Sequence, residues 1–223
     1  MKRIILFLVC LVTFCNVQAQ NSSYANRMQH IFGNINKNKV TTGYLKEFGV
    51  RFANIEACNG SLSANNFLTK SEWQAIYSSL YSMRVGQVAT NMASPHTVNI
   101  NQKNQQNNTN DILITIQHYN YQQYKTNAYT NGDVIISNDR IYDVAGRNPY
   151  DVKTIFAATT LKQHVQGSTF TFKLPSNLLY SNSTSTINQI QIDYGNGQGY
   201  KNSFTESNKE HHLQLWRREK DKG

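Results

Sequence analysis

A short apolar segment at the extreme N-terminus constrains this chain more than any other feature of its sequence. Residues 1–3 carry two basic side chains, residues 4–15 are apolar, and the small residue Ala19 directly precedes Gln20. This three-part layout is typical of a secretory signal peptide, and the apolar run is shorter than the roughly 20 residues that span a bilayer. The sequence therefore predicts cleavage between Ala19 and Gln20, with no integral membrane span afterwards. We expect an exported protein of the periplasm, the cell surface or the medium.

Removal of residues 1–19 would leave Cys58 as the only cysteine of the mature chain. An exported protein with one cysteine has no internal disulfide, so its stability has to come from core packing alone. We expect Cys58 to be a small buried apolar residue rather than a reactive thiol.

The composition excludes several classes of protein. Of the 223 residues, 16% are charged and 39% are hydrophobic, which is too little charge for a charge-driven disordered chain or a coiled coil. The formal net charge is +9, but the cations are scattered and no Lys/Arg run lies beside the tyrosines clustered between positions 119 and 150. Nucleic acid is therefore not an expected partner.

The first block, residues 20–95, has the signals of a small helical unit. Thr69 and Ser71 each have the spacing of a capping box, with Glu72 and Gln74 respectively, at the start of a helix from Lys70 to about Gly86. An apolar stripe follows at helical spacing, formed by Trp73, Ile76, Tyr77 and Leu80. An earlier helix is predicted from Tyr24 to about Asn34. We expect Trp73 in the core of this unit, the alternative being an exposed ligand platform.

The chain changes character after this block. Nine of the twelve residues from Asn99 to Asn110 are Asn or Gln, so we interpret 96–110 as a linker or long loop. Short alternating segments separated by turn signals then predict strands across 111–204. The expected fold class is α+β, a helical unit followed by a β-rich, sandwich-like domain that ends before a sandwich is complete.

No segment carries the signature of a catalytic or cofactor site. The sequence lacks G-x-S-x-G, H-E-x-x-H, C-x-x-C and P-loop patterns, and the histidines are poorly spaced for a metal. Four carboxylates fall within 19 residues, namely Asp133, Asp139, Asp143 and Asp151. Their spacing matches neither a glycosidase pair nor a calcium loop, so we expect solvated turn carboxylates. We predict no catalytic residue, metal or cofactor.

Tyrosines are the best candidates for ligand contact. Six of them fall within 32 residues, at positions 119, 121, 124, 129, 142 and 150. Exposed tyrosines stack on sugar rings and donate hydrogen bonds through the hydroxyl, but tyrosine is also an ordinary half-buried strand residue. The candidate ligand-binding residues are Tyr121, Tyr124 and Tyr129.

Two stretches resemble parts of known proteins. The motifs Thr42-Gly43-Tyr44-Leu45, Asn59-Gly60 and Glu72-Trp73 followed by Tyr77 resemble the start of large secreted surface proteins of Bacteroidetes-type bacteria. Asp193-Tyr194-Gly195-Asn196-Gly197 resembles the turn of PKD-like β-sandwich modules, with Asn196 in place of the second Asp. The resemblance implies a non-catalytic preface to β-rich surface modules, and no active-site residue is carried over.

The last residues differ from everything before them. Residues 205–223 form a charged tail in which ten of the fourteen positions from Lys209 to Lys222 are charged or His. We expect this tail to lie outside the fold. It is either a solvated basic tail or the product of a reading frame that ends prematurely by truncation or frameshift.

Three classes of function remain open. The sequence favours a structural or adhesive module of the cell envelope, with a glycan or other envelope proteins as partners. The alternative is a carbohydrate-binding module that uses exposed tyrosines, and an enzyme is the least favoured class.

Overall fold

A computed structural model describes residues 24–59, 68–85, 91–162, 164–165, 169–182, 190–193, 199–204 and 213–216. Its contacts divide the chain into two compact units. The first unit comprises residues 24–40 and 124–151, and the second comprises the remaining described residues.

The elements confirm the α+β class. The helices are α1 (residues 24–32), α2 (Lys70–Ser82) and α3 (Pro95–Asn107). The strands are β1 (Ile112–Tyr124), β2 (Val134–Ser137), β3 (Arg140–Asp143), β4 (Tyr150–Thr160), β5 (Thr169–Lys173), β6 (Leu179–Ser181), β7 (Ile190–Asp193), β8 (Tyr200–Phe204) and β9 (Leu213–Trp216). No helix in the described part of the chain combines the length and apolar character needed to cross a membrane.

Strand β1 is the centre of a five-stranded sheet in the second unit. The strand order is β4-β1-β5-β9, and β6 also pairs with β1. Both β5 and β6 run parallel to β1, with Ile112 opposite Phe172 and Ile116 opposite Leu179. Two further pairs of strands form antiparallel ribbons, β2 with β3 and β7 with β8. The sandwich-like arrangement stays a prediction.

The side chain of Asn182 continues the pairing of β1 beyond β6. Its Oδ1 accepts a hydrogen bond from the backbone N of Asn120 at 2.8 Å, and its Nδ2 donates to the backbone O of the same residue at 2.8 Å. The Nδ2 group also donates to the backbone O of Thr42 at 3.2 Å. A carboxamide has the same donor and acceptor as a peptide group, so Asn182 substitutes for one residue of a neighbouring strand.

Helix α2 begins as its sequence predicts. The Thr69 hydroxyl accepts from the backbone N of Glu72 at 3.2 Å, and the Glu72 carboxylate accepts from the backbone N of Thr69 at 2.7 Å. The capping box is therefore confirmed. The apolar stripe of α2 is buried as predicted (Trp73, Ile76, Tyr77 and Leu80). The helix ends at Ser82, four residues earlier than predicted, and Gly86 lies outside the described residues.

The interpretation of 96–110 as a linker is wrong, because Pro95–Asn107 form α3. The Ser94 hydroxyl caps this helix by accepting from Thr97 N at 3.1 Å, and Pro95 occupies the first turn. The buried positions of α3 are Val98, Gln102 and Gln106. Two of these three are amides, so a search for apolar periodicity does not recognise the helix.

The division into a helical block 20–95 and a β block 111–204 is also wrong. Tyr44 accepts a hydrogen bond from Gln122 N of β1 at 2.8 Å, and it forms an antiparallel bridge with Arg84 just after α2. Gly43, with φ of 79°, turns the chain into this pairing. Residues on both sides of the proposed boundary thus share backbone hydrogen bonds, and one hydrophobic core includes both Trp73 and Ile155.

The tail departs from its prediction as well. Leu213–Trp216 form β9, which pairs antiparallel with β5 in the register Phe172 opposite Leu213 and Thr169 opposite Trp216. The prediction that residues 205–223 lie outside the fold is therefore wrong for these four residues. The physical reason is that an edge strand leaves one row of backbone groups unpaired, and even a highly charged segment provides peptide groups to pair with them. The other tail residues lie outside the described part.

The first unit is held together by polar contacts around Asp143. Lys39 Nζ lies 3.9 Å from the Asp143 carboxylate and donates to the backbone O of Val144 and Arg147, both at 2.9 Å. The backbone N of Asn36 also donates to Asp143. These contacts fix the base of the β2–β3 hairpin against the segment that follows α1.

We predict that Asn182→Ala lowers the free energy of unfolding by about 1–3 kcal/mol, because it removes the partner of a half-buried peptide group. Chemical denaturation of both proteins measures the difference. Asn177→Ala is the matched control, since Asn177 is exposed, and it should change the free energy by less than about 0.5 kcal/mol. An Asn182→Ala protein as stable as the control would contradict this role.

Candidate functional site

The structure separates the three candidate tyrosines. Tyr121 is only 2% exposed and belongs to the core of the second unit, so its proposed role as an exposed ligand contact is wrong. Tyr124 is half-buried, and its ring lies 5.0 Å from that of Tyr150 in the first unit. Tyr129 is 61% exposed. Of the three, Tyr129 alone presents most of its surface to a ligand.

Several other aromatic side chains belong to the core of the second unit or pack against it. The rings of Trp73 and Tyr77 stack at a centroid distance of 5.5 Å with an interplanar angle of 10°. The ring of Tyr180 makes an edge contact with each of them at 5.6 Å. Such pairs add stability beyond the burial of their area. The expectation that Trp73 is a core residue is confirmed, since it is 1% exposed.

Several polar groups of this aromatic core donate hydrogen bonds to backbone carbonyls within the second unit. Trp73 Nε1 donates to the backbone O of Ala157 at 3.1 Å, and Gln117 Nε2 donates to the backbone O of Trp73 at 2.9 Å. The hydroxyl of Tyr77 donates to the backbone O of Ala93 at 3.0 Å. These donors therefore bind backbone groups of the protein rather than a ligand.

Burial shifts the titration of the core tyrosines. It raises the pKa of Tyr44 to about 12 and that of Tyr121 to about 12. Burial also raises the pKa of Tyr77, Tyr119 and Tyr180. A hydroxyl with a raised pKa stays protonated at neutral pH, so none of these groups is activated as a base or nucleophile.

The four carboxylates do not meet in one site. Asp133 is 8% exposed, Asp143 is paired with Lys39, and Asp139 lies in an exposed turn with φ of 58°. Two of the four are thus buried, although solvated turn carboxylates were expected. In the described parts of the chain, no group of three His, Cys, Asp or Glu side chains is arranged to hold a metal ion.

Within the described part of the chain, Cys58 is the one cysteine, and it is a core residue. Cys58 is 5% exposed, as expected for a small apolar side chain. Burial, together with the charge of Glu72, raises the pKa of its thiol. A raised pKa lowers the thiolate fraction, which makes the thiol less reactive.

A cleft of about 240 Å³ lies along the seam between α2 and α3. Gln74 Nε2 donates to Asn99 Oδ1 across this seam at 2.9 Å. Trp73 and Tyr77 form part of its lining, but each is only 1% exposed. The cleft is smaller than the ~300–1,000 Å³ of typical ligand pockets. A gap between two packed helices explains it better than a binding site.

Among the described residues, an exposed apolar surface lies on the β2–β3 hairpin, which the sequence analysis did not identify as a candidate site. Ile135 and Ile136 are 53% and 52% exposed. They pair with the half-buried residues Tyr142 and Ile141 respectively. We call Ile135, Ile136, Arg140, Ile141 and Tyr142 the hairpin surface. The sequence signal that could have identified it is a run of three apolar residues in a strand of only four.

The backbone of the hairpin explains why both isoleucines remain outside. Residues directly opposite in an antiparallel pair share a face, and successive residues alternate between faces. Val134 is buried at the base of the ribbon, opposite Asp143. Asn138 and Asp139 have φ of 49° and 58°, the signature of a tight two-residue hairpin turn. The short ribbon therefore extends from its anchored base and exposes apolar side chains on both faces.

The core tyrosines predict a stability limit at alkaline pH. Their pKa values are raised above the ordinary value of 10.0, so their contribution to stability is complete below about pH 10 and is lost as the pH rises towards about 12. We expect tyrosinate absorbance and loss of circular dichroism to change together in this range. Ionisation of Tyr44 and Tyr121 near pH 10 in a chain that remains folded would contradict their burial.

Comparisons with known proteins assign no family to this chain. No family model, no curated protein and no solved structure matches the chain. Function therefore has to be inferred from the residues and contacts described above.

Proposed function

We propose that this chain is an exported, non-catalytic contact module of the cell envelope or cell surface, and that it makes contact through the hairpin surface. The observation that supports this proposal is the exposure of Ile135 and Ile136 on a ribbon whose base is anchored by Asp143. Contiguous exposed apolar groups are typical of sites where a protein binds another surface.

The distribution of polar groups favours contact over catalysis. The hydroxyls of Tyr77, Tyr119 and Tyr180, whose pKa values are raised, lie in the aromatic core. The buried carboxylate of Asp143 binds Lys39 and the backbone of Asn36. A catalytic site requires a nucleophile or acid and a base within hydrogen-bond reach of a substrate. The polar groups described here instead have structural partners.

The proposal extends to the motifs that resemble the start of secreted surface proteins. Tyr44 pairs with β1, Asn59 bridges Phe156 of β4, and Glu72 caps α2. These residues therefore have structural roles in the second unit. On the proposed function, they maintain a scaffold, and the hairpin of the first unit supplies the contact.

The test uses the full chain purified from cells that export it. N-terminal sequencing should begin at Gln20. We expect the protein to sediment with isolated envelopes of the same cells, and expect the double variant Ile135→Asn, Ile136→Asn to lose at least about tenfold in binding. The control is the double variant Phe52→Asn, Val152→Asn, which replaces residues that are 60% and 57% exposed elsewhere.

Two results would contradict the proposal. One is a mature protein that still begins at Met1, which would exclude cleavage and weaken the case for export. The other is equal binding of the hairpin variant and the control variant to envelopes, which would exclude the hairpin as the contact surface.

A carbohydrate-binding module remains the second candidate, and the exposure of Tyr129 is the observation that favours it. An exposed tyrosine ring stacks on the apolar face of a sugar. Binding to a glycan array that disappears with Tyr129→Ala, but persists in the Ile135→Asn, Ile136→Asn variant, would support this candidate over the first.

A further inference from the structure

We propose that the partner of the hairpin surface is an anionic lipid surface, an inference that rests on the proposed function above. The first argument is geometric. Ile135 and Tyr142 lie on one face of the β2–β3 ribbon, and Ile136 and Ile141 lie on the other. Each face thus carries one exposed isoleucine, and the fluid interface of a bilayer adapts to apolar groups on both faces at once.

The exposure of the two isoleucines indicates the same kind of partner. Each keeps more than half of its surface in water, although they are adjacent in a strand of four residues. Apolar side chains gain most when they leave water for a hydrocarbon phase. Tyr142, half-buried on the same face as Ile135, belongs to the residue type that is enriched at the boundary between lipid headgroups and acyl chains.

Charge is the argument that selects an anionic surface. The described residues of the first unit contain six Lys and Arg side chains and four Asp side chains, with no Glu. Two of these carboxylates, Asp133 and Asp143, are buried, and Lys39 is engaged by Asp143. The other five cations therefore lie at exposed or half-buried positions. Only two carboxylates of this unit, Asp139 and Asp151, remain to balance their charge.

Arg140 places one of these cations on the hairpin itself. It is the first residue of β3 and lies directly opposite Ser137, next to the Asn138–Asp139 turn. Its guanidinium lies 3.4 Å from His30 Nδ1, and it is partly accessible. Arginine forms bidentate hydrogen bonds with phosphate, and cations near an anionic membrane add to its attraction. The isoleucines supply the apolar contact and Arg140 the recognition of headgroup phosphate.

The experiment measures binding of the full exported chain to lipid vesicles. We expect sedimentation with vesicles of phosphatidylglycerol and phosphatidylethanolamine in roughly equal parts, and at least about tenfold weaker binding to phosphatidylcholine vesicles. The double variant Ile135→Asn, Ile136→Asn should lose at least about tenfold on the anionic vesicles. The Phe52→Asn, Val152→Asn control should bind like the original chain. Circular dichroism and thermal unfolding check that all variants fold.

A charge variant separates headgroup recognition from apolar insertion. Arg140→Gln should weaken binding to the anionic vesicles by a factor of about five, and should leave the weak binding to phosphatidylcholine unchanged. Added salt should weaken binding of the original chain more than binding of Arg140→Gln, because salt screens the charge that the variant has lost.

Three other outcomes would contradict an anionic lipid surface as the partner. Hairpin-dependent binding to envelopes without binding to vesicles would leave the proposed contact function standing, with a protein or glycan as the partner. Concentration-dependent dimerisation that Ile135→Asn, Ile136→Asn abolishes would identify a second copy of this chain as the occupant. Equal binding to anionic and phosphatidylcholine vesicles would exclude recognition of the headgroup charge.

Discussion

The second unit depends on the complete pairing of one strand. Along β1, β5 pairs at Ile112, β6 pairs at Ile116, and the Asn182 side chain pairs with the backbone of Asn120. The backbone of Tyr44 then accepts from the N of Gln122. Three separate pieces of chain, namely β5, β6 with the adjoining Asn182, and the segment at Tyr44, therefore satisfy peptide groups along one strand. A buried peptide group without a partner costs as much as a lost hydrogen bond, so this pairing constrains where each piece lies.

The two faces of β1 pack against different parts of the second unit. Residues on one face contact the helices, as Thr115 binds Gln102 of α3 and Gln117 binds Trp73 of α2. On the other face, Ile114 and Ile116 form a separate apolar cluster. Cys58 is a free thiol and forms no disulfide within the described part of the chain, so burial on both faces of β1 has to offset the entropy of folding.

Amide side chains explain how so polar a sequence forms this core. Gln106 donates to the backbone O of Asp111 at 2.7 Å and accepts from the backbone N of Leu113 at 3.1 Å. Gln102 is fully buried between α3 and β1, where it donates to Thr115. Long amides bury aliphatic stems and satisfy backbone groups at the same time. The aromatic side chains and these amides thus fill core positions beside aliphatic residues such as Ile76, Leu80 and Ile155.

The sequence was sufficient to predict the elements whose signals are local. The start of α2 follows from the Thr69 capping box, and β5 follows from the alternation that ends at Pro175. The sequence misled where tertiary contacts decide the outcome. Helix α3 buries amides, and Tyr121 is buried in the same core cluster as Trp73 and Tyr77 of α2.

The hairpin surface shows the same limit at the candidate site. An apolar run such as 134–136 ordinarily predicts a buried strand, and only the structure distinguishes the buried Val134 from the exposed Ile135 and Ile136. The acidic cluster was equally ambiguous, since the pairing of Asp143 with Lys39 joins residues that lie far apart in the sequence. Contacts between distant segments carry the information that periodicity and spacing lack.

Amide hydrogen exchange in the native full chain tests most directly whether α2 and β1 share one core. The contacts of Trp73 with Gln117 and Ala157 predict that the most protected amides of both elements exchange through one common opening, with the same free energy. If the amides of α2 exchanged through an opening of much lower free energy while those of β1 remained protected, the shared core would be contradicted. The helical and β-rich parts would then be independent blocks.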